Sequence, residues 1–455
     1  MLGKIKLLLK NDNILSLLGN VVVAVFGLLS FFVLARILPI KDLGEWVLFI
    51  TAGNFIEMMR FGITRTAIIR FLSGSKEEER QKFIGSNWVI SIKSTLIIIG
   101  ILWLTLILLK SRIEFSGYYL FFMWYPVLSI INLPFNNAIS ILSADLKFRE
   151  ILFLRLFNNA TFVGFLAFYY FYQTADINII LYAYLIINVA TSAISMYYKW
   201  DGWNYIKKAT KNTNKIILNF GKYTTGTLIG SNLLKSADIF IIGLSPFLKA
   251  EGVALFSIPI KLTEILEIPV RSFLSTVFPH MSKASIENNL EEVKRLFYSY
   301  AGALSFIFLP VIALCFIFAE ELCIILGGRE YVSAANIFRV FCIYGMLIPI
   351  DRLTGVALDS INKPRQNFFK VIYMVIANVI GDIIAVFVIT AIFPSVPVTE
   401  VLMMVAMATI IMTIIGVIVG FHFLNKEISI QFDKIFIIGW KFFKQNIRKF
   451  SFLKI

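Results

Sequence analysis

The sequence predicts an all-α integral membrane protein with twelve transmembrane helices, arranged in two pseudo-symmetric six-helix lobes around a central cavity. Composition is the first observation behind this prediction. Of the 455 residues, 58% are hydrophobic and 16% are charged, whereas roughly 25% are charged in soluble proteins. The mean hydropathy of the whole chain is +0.81, so no polar stretch is long enough for a separate aqueous domain. The other two observations are a series of long apolar stretches and a repeat between the two halves of the chain.

Twelve apolar stretches are candidate membrane spans, because a span needs about 20 mainly apolar residues. The first has no charged residue between Asp12 and Arg36. It is too long for the apolar region of a cleavable signal peptide and lacks a small-residue cleavage site. The other spans are predicted near residues 45–69, 83–109, 119–142, 151–172, 179–198, 221–244, 253–279, 296–319, 334–358, 368–391 and 399–424.

Basic residues in the connections orient these spans, because cytoplasmic loops carry an excess of Lys and Arg. One side holds the basic N-terminus, the basic C-terminal tail and the connections at 70–82, 143–150, 199–222, 280–295 and 359–367. The connections on the other side contain only Lys41, Lys110, Arg112, Lys249 and Arg329. Both termini are therefore predicted to be cytoplasmic. Much of the net charge of +15 reflects this topology, and no nucleic-acid partner is needed to explain it.

The two halves of the chain follow one plan, which predicts lobes at residues 1–200 and 221–424. In the first half Pro39 precedes Gly44 between predicted helices 1 and 2. In the second half Pro246 precedes Gly252 between predicted helices 7 and 8. Since six spans separate the copies, the repeats run in the same direction about an axis along the membrane normal. Residues 201–220 are predicted to be a basic cytoplasmic linker between the lobes.

Residues 425–455 are predicted to form a basic, amphipathic cytoplasmic tail. Apolar residues repeat there at three- and four-residue steps or their sums, and basic residues repeat at seven on another face. The two sets are Phe432, Phe436, Phe443, Ile447 and Phe450, and Lys434, Lys441 and Arg448. Such a helix is expected to lie along the anionic cytoplasmic leaflet. A solvated tail without function is the alternative.

Charged residues inside the predicted spans are costly and usually line a cavity or pathway. The embedded bases are Arg36, Arg60, Arg65, Lys93, Arg155, Lys235, Lys261, Arg271, Arg339, Arg352 and Lys370. The embedded acids are Glu57, Asp238, Glu264, Glu267, Asp351 and Asp382. Bases still outnumber acids when Arg36, Arg271 and Lys370 are set aside, because these three lie near span ends and their side chains can reach the interface.

Helical spacing places several of these charges on shared faces. One arc of predicted helix 8 carries Lys261, Glu264, Glu267 and Arg271, and one stripe of predicted helix 7 carries Thr224, Thr227, Ser231, Lys235 and Asp238. Such stripes are expected to face a bundle interior or a water-filled cleft rather than lipid. The simpler interpretation is that Lys235 with Asp238, and Glu267 with Arg271, are intrahelical pairs that neutralise one another.

No pattern in the sequence predicts a catalytic residue, a metal site or a cofactor. The cysteines, Cys315, Cys323 and Cys342, have spacings that match no metal site. His280 and His422 have no carboxylate or cysteine cluster around them. The chain also lacks the glycine-rich lysine motif that cradles nucleotide phosphates, so ATP binding is not expected.

Short motifs in both halves carry a resemblance to a known family. Those of the first half are Leu34-Ala35-Arg36-Ile37-Leu38-Pro39, Asp42-Leu43-Gly44-Glu45-Trp46, Arg60-Phe61-Gly62 and Ile69-Arg70-Phe71. Those of the second half are Asp238-Ile239-Phe240-Ile241-Ile242-Gly243, Glu251-Gly252-Val253-Ala254-Leu255-Phe256, Pro279 and Leu326-Gly327-Gly328-Arg329-Glu330-Tyr331. In the order and spacing of these motifs the chain resembles the polysaccharide-repeat-unit flippases of the multidrug, oligosaccharidyl-lipid and polysaccharide exporter superfamily.

The resemblance extends over nearly the whole chain, up to about residue 425. It departs at Ala254-Leu255-Phe256, where the family more often has a tyrosine after the glycine. This departure weakens any transfer of function to that loop.

The resemblance implies a flippase of the bacterial inner membrane. It implies that undecaprenyl-pyrophosphate-linked oligosaccharide repeat units move from the cytoplasmic to the periplasmic leaflet while the lobes rock about a central cavity. The product would serve synthesis of a surface polysaccharide such as lipopolysaccharide O-antigen. Membrane lipid surrounds such a protein, and association with a polysaccharide polymerase or glycosyltransferases is a further expectation.

Surplus positive charge in a cavity would hold a diphosphate through charge-assisted hydrogen bonds. The residues expected to bind it are Arg60, Arg65, Arg155, Lys235, Lys261 and Arg339. The candidate acids for proton or sodium antiport are Asp238, Glu264, Glu267, Asp351 and Asp382. The membrane potential is the alternative driving force, because an inside-negative potential moves an anion outward with about 2.3 kcal/mol per charge per 100 mV.

Three other functions are alternatives to this prediction. A drug or cation antiporter of the same superfamily would share the fold but should have a net acidic cavity. A peptidoglycan-precursor flippase would share the chemistry but usually has more than twelve spans. A membrane glycosyltransferase or polymerase would need a large loop with catalytic residues, and no predicted loop is large enough.

Overall fold

A computed structural model describes residues 12–72, 75–171 and 176–451, with side chains outside 12–17, 63, 115, 221–228, 231, 275 and 446–451. Within these residues the fold is helical and contains no strand. The chain divides into two compact units. The first comprises the described residues of Met1–Asn232 together with Lys249–Ala254, and the second comprises those of Leu233–Leu248 and Leu255–Ile455.

The helices up to residue 208 belong to the first unit. They are α1 (Asp12–Ile37), α2 (Ile40–Leu72), α3 (Glu77–Leu108), α4 (Lys110–Phe115), α5 (Tyr119–Ile131), α6 (Leu133–Ala144), α7 (Phe148–Tyr170) and α8 (Ile177–Tyr197). A 3-10 turn at Trp203–Lys208 follows. Helix α1 packs on α7, while α2 packs against α3, α5 and α6.

The later helices are α9 (Lys211–Leu244), α10 (Lys249–Ile286), α11 (Leu290–Ile317), α12 (Ala319–Gly327), α13 (Ala335–Ser360), α14 (Pro364–Ile383), α15 (Val398–Ile428) and α16 (Phe432–Ser451). A π-helical stretch, Ile384–Ile389, and a last turn, Thr390–Ile392, continue α14. In the second unit α13 packs against α11 and α15, and α15 packs against α14.

Local sequence explains several of these boundaries. Asp176 accepts a hydrogen bond from the backbone N–H of Asn178 and so caps α8, and Asn289 does the same for Glu292 at the start of α11. Such caps satisfy donors that the first helical turn leaves unpaired. Pro364 occupies the first turn of α14, where its missing N–H costs nothing.

Among the described residues, nine helices are long and apolar enough to cross a membrane, and α5 with α6 makes a tenth candidate if this pair, bent by 51°, is one span. The chain is therefore a multi-pass membrane protein. The predicted number of twelve spans remains a prediction. Helix α10, which contains the predicted eighth span, is not among the ten, because Lys261, Glu264, Glu267 and Arg271 interrupt its apolar residues.

Helix α16 packs along α11 through its aromatic face. The ring of Phe306 contacts the rings of Phe436, Trp440 and Phe443. The backbones approach closely where Gly302 faces Gly439, since a β-carbon on either glycine would overlap the other helix. Part of the apolar face expected to lie on the leaflet is thus covered by protein. Lys434 and Lys441 remain exposed, and their predicted contact with anionic lipid stays a prediction.

We expect Gly302→Ala to loosen α16, because the added methyl group would overlap the carbonyl oxygen of Ile435. Overpacking of this kind costs about 1–3 kcal/mol. Trypsin should then cleave after Lys434, in the first turn of α16, faster than in the unchanged protein. Gly164→Ala is the matched control, since nothing lies within 4 Å of a β-carbon there. Equal cleavage rates in the two variants would contradict the glycine contact.

Candidate substrate and ion sites

Glu267 of α10 lies at the centre of a cluster of positive charge in the second unit. Its carboxylate accepts hydrogen bonds from Arg271 Nη2 at 2.9 Å, from Arg352 Nη2 at 3.3 Å and from the hydroxyl of Tyr344 at 3.2 Å. Helix α10 supplies Glu267 and Arg271 one turn apart, and α13 supplies the other two side chains. The single carboxylate of Glu267 therefore accepts hydrogen bonds from two guanidinium groups.

Further charges surround this carboxylate. Lys235 of α9 interacts electrostatically with Glu264, Glu267, Arg271 and Arg352. Lys261 forms an ion pair with Glu264, with a distance of 2.8 Å between Nζ and Oε2. We call the six residues Lys235, Lys261, Glu264, Glu267, Arg271 and Arg352 the Glu267 cluster. Its four cations exceed its two carboxylates, so the intrahelical pair of Glu267 with Arg271 does not neutralise it.

Arg60 of α2 holds a buried polar group within the first unit. Its Nη1 donates to Glu57 at 2.9 Å and its Nη2 donates to the carbonyl oxygen of Ser129 at 3.0 Å. Tyr125 and Asn136 also donate to Glu57, at 3.0 Å and 2.9 Å. The Arg60 side chain is fully enclosed. In this conformation it positions Glu57, and contact with a substrate would require a different arrangement.

Arg65 and Arg155 form a second group in the first unit. The two guanidinium groups, on α2 and α7, repel each other electrostatically. Arg155 Nη1 donates to the side-chain oxygen of Asn20 on α1 at 2.8 Å. Arg65 is exposed and Arg155 half-buried. Neither has a carboxylate within ion-pair distance in the described parts of the chain, so their positive charge is available to an anion.

Arg339 lies apart from the Glu267 cluster, at the first turns of α13. Its guanidinium group donates to Glu320 at 3.0 Å and to Asn336 at 2.6 Å. Glu320 stands in the first turn of α12, so this ion pair joins two consecutive helices. The structure therefore brings Lys235 and Lys261 together and places Arg339 elsewhere, with its charge paired.

Asp238 and Asp382 form a buried pair of carboxylates in the second unit. The side-chain amide of Asn378 donates to Asp238 at 2.5 Å and to Asp382 at 3.0 Å. Thr409 donates to the second oxygen of Asp238 at 3.2 Å. We call these four residues the Asp238 site. They come from α9, α14 and α15, and all four are at most 8% exposed.

The Asp238 site is short of positive charge. No Lys or Arg lies within ion-pair distance of either carboxylate among the residues that the structure describes. Burying two ionised carboxylates without compensation is strongly unfavourable. The arrangement therefore favours a bound proton or small cation. Rotation of the Asn378 amide would turn its carbonyl oxygen toward both carboxylates, and oxygen ligands suit hard cations.

Asp351 has a different environment from Asp238 and Asp382. Lys370 Nζ lies 2.7 Å from its carboxylate and also donates to Thr354 at 2.8 Å. Lys370 was expected to reach the interface from a span end, and this expectation is wrong, because the side chain is 3% exposed. Its ion pair with Asp351 offsets the cost of burial. As a result Asp351 is already neutralised by a fixed cation.

Sequence reasoning missed the neutral partners of these charges. Asn378 and Thr409 in the Asp238 site, and Tyr344, which donates a hydrogen bond to Glu267, were not predicted. One signal was present, since Asn378 precedes Asp382 by four residues and therefore shares its helix face. The hydrogen bond from Thr409 to Asp238 could not be predicted, because an isolated threonine in an apolar helix has no distinguishing pattern. The side chains of Thr224, Thr227 and Ser231 lie outside the described residues.

Comparisons with known proteins place the chain in a family. A family model described as polysaccharide biosynthesis protein matches residues 33–336. The probable low-salt glycan biosynthesis flippase Agl15 of Haloferax volcanii is 22% identical over 381 residues, which cover 83% of this chain and 78% of that protein.

Two solved structures have the same fold. An inward-facing multidrug resistance transporter of the MATE family and MOP superfamily has a TM-score of 0.72 at 16% identity, covering 89% of this chain and 95% of that one. The lipid II flippase MurJ, in an inward closed conformation, has a TM-score of 0.69 at 15% identity, covering 94% of this chain and 90% of that one. These matches confirm the predicted resemblance, and the chain belongs to the polysaccharide biosynthesis protein family.

Proposed function

We propose that this protein moves a lipid-linked oligosaccharide across the cytoplasmic membrane by alternating access. The substrate is an oligosaccharide repeat unit on a polyprenyl diphosphate, with undecaprenyl pyrophosphate as the carrier in a bacterial inner membrane. Transport runs from the cytoplasmic to the periplasmic leaflet and supplies a surface polysaccharide. Family membership and the MOP-superfamily fold support the flippase role. Both termini are cytoplasmic in this proposal. The expected partners, a polysaccharide polymerase or glycosyltransferases, act before or after the flipping step.

One observation carries the choice of substrate, namely the excess of cations in the Glu267 cluster. A diphosphate brings about two negative charges and several strong acceptors, and guanidinium and ammonium groups bind such oxygens through charge-assisted hydrogen bonds. Arg271 and Lys235 are both exposed. Arg271 shares the Glu267 carboxylate with Arg352, and Lys235 has no ion pair of its own among the described residues. A cationic drug would be repelled by the same charges, which argues against a drug antiporter.

Arg65 and Arg155 provide a second anion-binding group in this proposal. Both are embedded in predicted spans, where an unpaired charge is costly unless it faces a polar ligand or water. Binding a phosphate would relieve the repulsion between the two guanidinium groups. We place Arg65 and Arg155 among the residues that bind the diphosphate, and we assign Arg60 a positioning role.

The Asp238 site provides ion coupling in this proposal. A proton or sodium ion that neutralises Asp238 and Asp382 would change the packing of α9, α14 and α15, the three helices that contribute its side chains. Helix α9 also carries Lys235, three residues before Asp238. Cation binding at the Asp238 site and anion binding at the Glu267 cluster therefore act on the same helix. This shared helix is a direct route for coupling the two events.

The double variant Arg65→Gln/Arg155→Gln tests the first-unit site. Each hydrogen bond to a charged group contributes about 1.5–3 kcal/mol, so surface glycan should fall at least about tenfold. Lipid-linked intermediates should accumulate in the cytoplasmic leaflet, as measured by their accessibility to a membrane-impermeant glycosidase. Arg112→Gln/Arg149→Gln removes the same charge at exposed positions and should behave like the unchanged protein. Normal glycan in the first variant at full expression would remove these two residues from the proposal.

A further inference from the structure

A cleft in the first unit carries positive charge that the proposed transport site does not use. It lies between α3 and the first turns of α9 and has a volume of about 380 Å³. Lys93 lines it from α3, and Lys211, Asn214 and Lys215 line it from α9. A cavity of this size is within the usual range for small-molecule sites. Three ammonium groups therefore converge on one ligand-sized space.

These lysines are not neutralised by the protein. None of the three has a carboxylate within ion-pair distance in the described ranges, and all three are exposed. Helix α9 has no acidic residue in its first turn, although a helix N-terminus favours negative charge. Lys211 and Lys215 thus add positive charge where the helix dipole is already positive. Such an arrangement is unfavourable by itself and becomes favourable when an anion binds.

The walls of the cleft indicate what kind of anion it would hold. Val89, Ile90 and Leu218 supply apolar surface beside the three lysines. Lys93 lies 16 residues after the start of α3 at Glu77, which is a rise of about 24 Å at 1.5 Å per residue. The cleft therefore combines a cationic rim with an apolar wall inside a candidate membrane span. A soluble anion needs no such wall, whereas a lipid has both a charged head and an apolar chain.

Asn214 adds a neutral polar group to the same cleft. Its side-chain oxygen is buried and has no hydrogen-bond partner among the described residues. A buried acceptor of this kind is costly unless a donor reaches it. The hydroxyl groups of a glycerol-based headgroup are suitable donors. A phosphoglycerol headgroup therefore matches both the lysines and the amide.

We propose that this cleft binds the phosphate headgroup of an anionic membrane lipid, separately from the transported substrate. Basic pockets between transmembrane helices on the cytoplasmic side are suited to such headgroups. In the predicted topology α9 begins within the cytoplasmic linker, which places Lys211 and Lys215 on the cytoplasmic side of the membrane. The lipid would join α3 to α9 at the point where the chain leaves the linker.

Lipid titration of the purified full-length protein, followed by native mass spectrometry, tests this proposal. Phosphatidylglycerol should bind with higher affinity than phosphatidylcholine of the same acyl chains. Each lysine near an anionic lipid contributes roughly a fivefold gain in affinity. The variant Lys93→Gln/Lys211→Gln/Lys215→Gln should therefore bind phosphatidylglycerol on the order of 100-fold more weakly.

The matched control is Lys199→Gln/Lys207→Gln/Lys208→Gln, which removes the same charge from exposed positions outside the cleft. It should retain the affinity of the unchanged protein. Equal losses in both variants, or equal binding of the two lipids, would overturn the proposal. Full displacement of phosphatidylglycerol by millimolar inorganic phosphate would identify a free-anion site and also overturn it. If the triple variant does not fold, Lys93→Gln alone should lower the affinity about fivefold, and Lys93→Arg should preserve it.

Discussion

Asp238→Asn should remove the dependence of transport on a coupling cation. Asp238 and Asp382 are buried together and share the amide of Asn378, without a Lys or Arg partner among the described residues. With one carboxylate replaced by an amide, the site loses half of the negative charge that would attract a proton or sodium ion. Loss of a cation ligand typically lowers affinity by at least about 10- to 100-fold. Translocation of the lipid-linked oligosaccharide driven by a sodium or proton gradient should fall to the rate measured without the gradient.

The same variant should keep its fold, which separates this effect from misfolding. An amide at position 238 can still bond with Asn378 and Thr409, and it removes one charge from the interior. A bound sodium ion or proton should raise the thermal unfolding midpoint of the unchanged protein. Over the same range of sodium concentration and pH, we expect the unfolding midpoint of the variant to stay constant.

The control for Asp238→Asn is Asp359→Asn, at the end of α13. Asp359 is exposed and accepts a single hydrogen bond from Asn367 at 2.9 Å. Its replacement should leave coupling intact. Cation-dependent stabilisation that persists in Asp238→Asn would contradict the assignment of the Asp238 site. Comparing sodium titrations at fixed pH with pH titrations without sodium identifies the coupling ion.

Lys235→Glu should abolish substrate binding, and Lys235→Gln should weaken it about 10- to 100-fold, the effect expected for losing one hydrogen bond to a charged group. Lys235 stands beside Glu264, Glu267, Arg271 and Arg352 without an ion pair of its own among the described residues. The charge can therefore be changed without leaving a buried carboxylate unpaired. The glutamate variant removes the excess of cations over carboxylates in the Glu267 cluster. The measurement is the affinity of the purified protein for a polyprenyl-diphosphate-linked oligosaccharide.

The matched controls for Lys235 are Lys283→Gln and Lys283→Glu. Lys283 lies near the end of α10, and its side chain is 76% exposed with only a long contact to Glu287. Neither control should change the affinity for the diphosphate lipid. Unchanged affinity in Lys235→Glu would show that the Glu267 cluster does not hold the diphosphate.

The helical architecture could be predicted from the sequence because each span leaves a long apolar stretch. Every predicted span overlaps a helix of the structure. The bend of 51° between α5 and α6 was not predicted, since Asn132 and Pro134 at the break are also compatible with a continuous span. The packing of α16 on α11 was missed for a related reason. A basic amphipathic helix has the same pattern whether its apolar face covers lipid or protein, and only the apposition of Gly302 and Gly439 decides between them.

The charged residues of the candidate sites could be predicted individually, but their pairings could not. Helical spacing placed Glu267 and Arg271 on one face, yet Arg352 and Tyr344 reach the same carboxylate from a helix more than 70 residues away. Arg60 and Arg65 were indistinguishable as embedded arginines. The structure separates them because Arg60 is enclosed with Glu57 while Arg65 is exposed. Such distinctions depend on tertiary contacts, which hydrophobic periodicity does not encode.

Translocation by the purified protein in liposomes tests the central claim most directly. A fluorescent oligosaccharide on polyprenyl diphosphate would be placed in both leaflets, and an external, membrane-impermeant glycosidase that cleaves the oligosaccharide would report how much of the lipid becomes accessible. We predict rapid access to the whole pool with the unchanged protein, access to about the outer half only with Lys235→Glu, and no acceleration for a neutral glycolipid of the same chain length. Equal rates for the diphosphate and neutral lipids, or a rate no higher than in protein-free liposomes, would contradict the account.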